Sequence, residues 1–430
     1  MELRTPSAGI LPRYRWAAAG DVNAFFGLML DNVINLAVLA GILIGAFGFP
    51  AQLVYTRMFP GTALGVLVGD LAYSWLAFRL ARKTGRDDVT AMPLGLDSPS
   101  TIGMALAVLG PAFVAAKGRM APADAAIVAW QVGMATMVLI GVFKFAMSFA
   151  GDYVRRSVPD AGLLGSIAGV AIALLGTLQL GTVFSEPIVG MIALGIIIYG
   201  LVAKISLPWR SPVVLTAAVV GAALYYALGA AGLSLHPVTA SQAVFRIGVP
   251  VPTFGFLAGL PLVLKRYLPL AFPFALLTVI GGINNTESAR MAGDDYRTRD
   301  VLLVEAVATL IAGVCGGVSQ STPYIGHPAY KAMGGRAAYT LATGLFVGLG
   351  GCLGYLAFMA DALPKPALAP ILVFVGVNIT SQAYLATPRR HSGAVTFAVF
   401  PAIAYLVVIF LSQVYGGALL SAAVDPAGTA

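Results

Sequence analysis

The stretch Pro323-Tyr324-Ile325-Gly326-His327-Pro328 decides the fold. It is extended and turn-prone, carries a histidine, and is wedged between strongly apolar runs of membrane-spanning character. Helices and closed barrels are the structures that satisfy backbone groups in lipid, so irregular chain at membrane depth is tolerated only beside protein or a polar cavity. A second break, Met92-Pro93-Leu94-Gly95-Leu96-Asp97-Ser98-Pro99, lies in the first half of the chain, with Asp97 where the later one has His327. Paired interruptions of this kind point to a transporter's substrate site.

Composition supports a membrane setting. Of 430 residues, 59% are hydrophobic and 10% charged, too few charges to surface a soluble domain. The net charge of +8 does not indicate nucleic acid, because the basic residues cluster in short loops, where they read as topology. Arg13 and Arg15 precede the first span, Arg79, Arg82, Lys83 and Arg86 follow the second, Arg155 and Arg156 the fourth, and Arg389 and Arg390 lie late. These are expected on the cytoplasmic side, with a retained N-terminus and a bacterial-type inner membrane. Cys315 and Cys352 have no CxxC spacing, so neither a disulfide framework nor a metal site is expected. No HExxH, GxSxG, Walker or GxGxxG pattern occurs, which argues against an enzyme, a cofactor or ATP drive.

Apolar runs bounded by charge, proline or glycine predict spans near 22–47, 59–81, 92–115, 123–149, 159–180, 187–205, 212–230, 269–289, 300–317, 321–335, 337–361, 366–385 and 391–424. The last run is long enough for two helices joined near Tyr415-Gly416-Gly417. The expected fold class is therefore an all-α polytopic membrane protein of about fourteen transmembrane segments, with segments three and ten half extended. Leu30-Asp31-Asn32-Val33-Ile34-Asn35 matches Ile283-Asn284-Asn285-Thr286-Glu287-Ser288, and each precedes a break in its half. The same order of polar-centred helix, helix, break and helix thus occurs twice, and an odd number of spans per repeat inverts the second copy. Gly61-Gly65-Gly69 and Gly165-Gly169 have the spacing of closely packed helices.

Charges within spans are costly and usually face a cavity or a partner. Asp97 and His327 stand where unwound chain meets a helix start, which favours anionic or carbonyl groups. His327 either serves that site or is hydrogen-bonded to structure. Asn285 offers donor and acceptor, suited to a planar heterocycle or an oxyanion. Glu287 either joins it or marks a helix end near Arg290. Thr322 and Tyr324 share a face of the extended chain with Gly326, where something can approach closely. Ser98 completes the candidate substrate-binding set of Asp97, Ser98, Asn285, Thr322, Tyr324, Gly326 and His327. Asp31, Glu287 and Glu305 are the coupling candidates. Asp31 could alternatively pair with Lys331, Asp70 and Lys144 read as structural ion-pair partners, and Glu305 as a brace at its helix start.

Val301-Leu302-Leu303-Val304-Glu305-Ala306-Val307-Ala308-Thr309, Ser321-Thr322-Pro323-Tyr324-Ile325, Gly334-Gly335-Arg336 and Gly95-Leu96-Asp97-Ser98 together resemble motifs of the nucleobase-ascorbate transporter superfamily, in its xanthine/uracil and purine permease branches. That resemblance implies a 7+7 inverted repeat, elevator-type alternating access, coupling to H+ or Na+, and a homodimer in the lipid bilayer. It also implies a cytoplasmic N-terminus (1–21), a core domain (22–150 and 263–365) and a gate domain (151–262 with its connector, and 366–430). The chain departs from the pattern where the family has its two substrate-binding acids: Asn285 replaces one, and Gly326 beside His327 the other. The leading expectation is a secondary transporter of a nucleobase-like heterocycle. The alternative is a small-anion transporter or exchanger of the sulfate/bicarbonate permease type on the same fold.

Overall fold

The computed structural model describes residues 14–151, 153, 165, 168–169, 171–208, 211–236 and 245–424. Arg13, Arg155, Arg156 and much of the expected fifth span lie outside them. In chain order the main elements are α1 (Gly20–Ala40), α2 (Phe59–Thr84), β1 (Leu94–Leu96), α3 (Ser98–Gly103, prolonged through Met104–Leu109 and Gly110–Lys117) and α4 (Pro122–Ser148). There follow α5 (Leu178–Ser185), α6 (Pro187–Ile197), α7 (Val213–Ala230), α8 (Gly255–Leu262), α9 (Leu268–Met291) and α10 (Thr298–Val314). After β2 (Ser321–Pro323) come α11 (His327–Ala332), α12 (Ala338–Leu353), α13 (Tyr355–Ala362), α14 (Lys365–Ala386) and α15 (Ser392–Val424).

Among the described residues, five helices are long and apolar enough to cross a bilayer: Gly20–Gly45, Ala51–Thr84, Pro122–Ser148, Val213–Ala230 and Lys365–Leu385. Shorter apolar helices among the described residues are Ala171–Ser185, Pro187–Val202 and Ala338–Leu353. With the apolar composition, these make the chain an integral multi-pass membrane protein. Two expectations need correction. Gly354 adopts a left-handed conformation (φ 84°) and splits the expected span 337–361 into α12 and α13. Residues 392–424 instead form one helix of 33 residues, with no break at Tyr415-Gly416-Gly417. Glycine there leaves the helical hydrogen-bond ladder intact, and lipid offers that backbone no competing partner.

The chain divides into two compact units, one of residues 1–153 and 241–362 and the other of 154–240 and 363–430. In the first, the Gly61-Gly65-Gly69 face of α2 packs on α10: a Cβ on Gly65 would lie 2.8 Å from Ala312 Cβ, and one on Gly69 3.3 Å from Ala308 Cβ. Removing side chains at these positions lets two backbones close to van der Waals contact. The connector from 245 to 262, expected with the other unit, also packs here: Gly248 N–H donates to Cys352 O (2.9 Å), Thr253 N–H to Val314 O (3.0 Å), and Gly259 sits on the Gln131 backbone. In the second unit, α7 meets α14 at Gly221 and Ala367, and Gly165 and Gly169 lie against Val395–Ala402 of α15.

Candidate functional site

Proline and glycine keep both breaks from becoming helix, and the two extended pieces solve each other's backbone problem. β1 and β2 pair antiparallel, with Leu94 opposite Pro323, Gly95 opposite Thr322 and Leu96 opposite Ser321. Tyr324 N–H to Pro93 O (2.8 Å) and Asp97 N–H to Gln320 O (3.1 Å) extend the ladder. A two-stranded ladder in a membrane still has two unpaired edges, and buried backbone groups must be satisfied. Side chains on the surrounding helices do this. Leu94 N–H donates to Asp70 Oδ1 (3.0 Å) and Leu96 N–H to Asn32 Oδ1 (3.1 Å), while Leu96 O accepts from Asn35 Nδ2 (3.2 Å). On the other strand, Pro323 O accepts from Asn285 Nδ2 (2.5 Å) and Ser321 O from Lys144 Nζ (3.3 Å). Pro323 brings no N–H, so at that residue the edge needs only the one donor.

The predicted residues distribute unevenly about this ladder. Asp97 is half-buried and caps α3: its Oδ2 accepts from Ser100 N–H (2.9 Å), so the carboxylate answers the helix's own partial positive charge. Ser98 opens α3, and its side chain lies outside the described set. Tyr324 stacks on Tyr330 (centroids 6.0 Å apart, 22°) and leans on Gly95 and Gly326, where added Cβ atoms would lie 3.1 and 2.5 Å from its ring. The group that approaches Gly326 closely is thus the protein's own aromatic pair. Thr322 and Lys144 both face Glu305, and Lys144 Nζ lies 2.8 Å from Glu305 Oε1 with both side chains essentially inaccessible. Glu305 stands mid-way along α10, so the expected brace at a helix start is corrected. Asp31 is buried on α1 with Oδ2 3.4 Å from Asn35 Nδ2.

Two candidates point elsewhere. His327 begins α11, but Nε2 lies 3.2 Å from Thr90 O and 3.3 Å from Asp294 Oδ2. Both neighbours accept, so that nitrogen carries the proton. Glu287 is ion-paired with Arg290, whose Nε lies 2.9 Å from its carboxylate, the helix-end alternative of the sequence reading. Lys331 pairs with Asp294 (2.6 Å) in place of Asp31. Asp294, in the loop between α9 and α10, is therefore the hub of an ion network the sequence reading missed. Burial alone would raise its carboxyl, but the hydrogen bond and charge of His327 and the charge of Lys331 hold it below the ordinary range. Arg86 likewise holds the neighbouring Asp88 low.

Beyond Asp97 the ladder opens onto further polar groups absent from the predicted set. Thr101 and Ser319 hydroxyls lie 2.5 Å apart, and Thr278 Oγ1 donates to Gln320 Oε1 (3.4 Å). Gln320 Nε2 is buried without a hydrogen-bond partner. Gln320 was legible as a polar residue beside the break; nothing in the sequence said which way its amide would turn.

No family model and no curated protein matches the chain. Solved structures do. The transmembrane domain of the cyanobacterium bicarbonate transporter BicA superposes with a TM-score of 0.54 at 18% identity, over 91% of this chain and 97% of that one. SLC26A9 gives 0.51 at 14% identity over 91% of this chain, which spans 65% of that structure. The fold is that of the BicA membrane domain. The match bears out the all-α, half-extended architecture and overturns the assignment to the nucleobase-ascorbate family. The physical reason lies in the motif itself: Gly95, Thr322, Pro323, Tyr324 and Glu305 belong here to the ladder and its packing, so they report the fold. Both base-reading carboxylates, which could tell the families apart, are absent at Asn285 and Gly326.

Proposed function

We propose that this chain is a secondary transporter of a small anion. The observation that carries the reading is the buried, partnerless donor Gln320 Nε2, on the residue whose carbonyl accepts from Asp97 N–H just before α3, in a fold shared with a bicarbonate transporter. An amide N–H favours negative charge, and an orphaned buried donor is costly until something accepts from it. Asp97, Ser98, Thr322 and Tyr324 are the site residues proposed to flank the cargo, with Asn285 and Gly326 fixing the strand and the aromatic pair around it. His327 is proposed to set the position of β2 through Asp294 rather than touch the anion. Asp31, Glu287 and Glu305 remain the proposed coupling acids, with H+ or Na+ as the driving ion.

In this proposal the ladder unit is the moving core of an elevator and the second unit its gate, in a homodimer of the plasma membrane with a cytoplasmic N-terminus. The test is uptake of labelled bicarbonate, sulfate, nitrate, formate, uracil and xanthine into vesicles holding the purified protein. Saturable uptake of at least one anion is expected, with Gln320→Leu raising its half-saturation about tenfold or more, the cost of one lost charge-assisted hydrogen bond. Saturable uptake of a nucleobase with no anion transported would overturn the reading.

A further inference from the structure

The three strand-edge carbonyls that accept from side chains are not served alike. Leu96 O and Pro323 O each take a neutral amide, from Asn35 and Asn285. A neutral donor therefore suffices to hold such a carbonyl. Ser321 O instead takes Lys144 Nζ, and that ammonium requires a buried carboxylate, Glu305, at 2.8 Å. Replacing a buried ion pair by apolar groups is often neutral or stabilising, so its presence is not explained by the need to fold.

The geometry of the pair suggests its use. Lys144 has three protons and three partners: Glu305 Oε1 (2.8 Å), Thr309 Oγ1 (3.3 Å) and Ser321 O (3.3 Å). It has no donor left for cargo, and its charge is cancelled locally. Yet Ser321 lies directly opposite Leu96, one residue before the cap of α3, so the ammonium stands about two strand spacings, roughly 8–10 Å, from that helix start. Glu305 faces Lys144 from α4 and Tyr73 from α2, with Asp97 across the ladder and Asp70 beyond Tyr73. α9 presents Gly282, where a Cβ would lie 2.7 Å from Oε2, and β2 presents Thr322. Lys144 is the sole cation in this set.

We propose that Lys144 and Glu305 form the proton-coupling element of the site. Glu305 takes up one proton from the side to which the site is open as the anion binds, converting its carboxylate to a carboxylic acid. The Lys144 charge, no longer cancelled, then acts through β2 on the anion. Release of the anion returns the proton to the other side, so one proton travels with each anion. By linkage each ligand strengthens the other by the same factor, about tenfold for a coupling of ordinary size. This rests on the anion reading above.

The test is binding to the purified full chain at pH 5.5 and pH 8.0, read as a thermal-shift midpoint for sulfate, nitrate, formate and bicarbonate at equal concentrations of each ion. The bound anion should have a midpoint about tenfold lower at pH 5.5. Glu305→Gln should bind it at both pH values with the tight midpoint, and Glu305→Gln with Lys144→Gln with the weak one. Anion binding that is independent of pH in the wild type, or still pH-dependent in Glu305→Gln, overturns the proposal and leaves the anion reading standing. No binding of any anion at either pH overturns both. Should Glu305→Gln fail to fold, a pH dye in weakly buffered wild-type protein reads the same event. About one proton taken up per anion bound is expected, and none overturns the proposal.

Discussion

Asp294 shows what a single loop carboxylate does for an unwound segment. Its Oδ2 accepts from Thr90 N–H (3.1 Å), Lys331 Nζ (2.6 Å) and His327 Nε2 (3.3 Å), and Arg86 lies 3.3 Å from Oδ1. The residues leading into β1 and those leaving β2 are thereby tied to one point. Removing one partner of a buried ion cluster costs about 3–5 kcal/mol, because the others are left uncompensated. Asp294→Asn is expected to lower the apparent melting temperature of the purified protein clearly, and an unchanged midpoint would show the cluster to be energetically idle. The sign of the pH effect follows from a folded-state carboxyl held below its unfolded value near 3.9. The stabilisation is complete above about pH 4 and disappears as pH falls through the lower folded value. Melting curves of wild type and Asn variant should therefore converge on acidification below about pH 4.

At the scale of the elements, the ladder is a repeat seen twice. Leu96 and Pro323 are the third residues of their strands, and Asn32 and Asn285, matched in the sequence alignment of the halves, serve those two residues. Asn32→Ala and Asn285→Ala should each leave one buried backbone group unpaired, at a cost of about 1–3 kcal/mol. If hydrogen exchange within 94–96 and 321–324 is unaltered in both, the strand edges have other partners. The breaks themselves were legible in the sequence because proline and glycine cluster there beside polar residues, within runs otherwise apolar enough to span. The two asparagines were legible as a pair by their order. What was not legible was direction: a histidine at the head of α11 can turn to the ladder or to the loop, and only the position of Asp294, remote in sequence, decides that it turns to the loop. Motifs that serve the ladder also misled, since they report the fold and not the cargo.

At the scale of the molecule, every group assigned to the site, from Asp31 and Asn35 through 94–101, Lys144, Thr278, Asn285 and Glu305 to 319–324, belongs to the unit of residues 1–153 and 241–362. Cargo held wholly within one compact unit can be carried by moving that unit, without dismantling the groups that hold it. A site shared between units would have to break as they moved. The two arrangements differ in where binding orders the chain, because local opening is suppressed where a ligand adds contacts. Hydrogen exchange with and without saturating anion should show added protection at 94–101 and 319–324, with α5, α6, α7 and α14 protected no more than before. Protection of comparable size in those four helices would mean that the second unit supplies part of the binding surface, and the carrier unit would then have to be redrawn to include it.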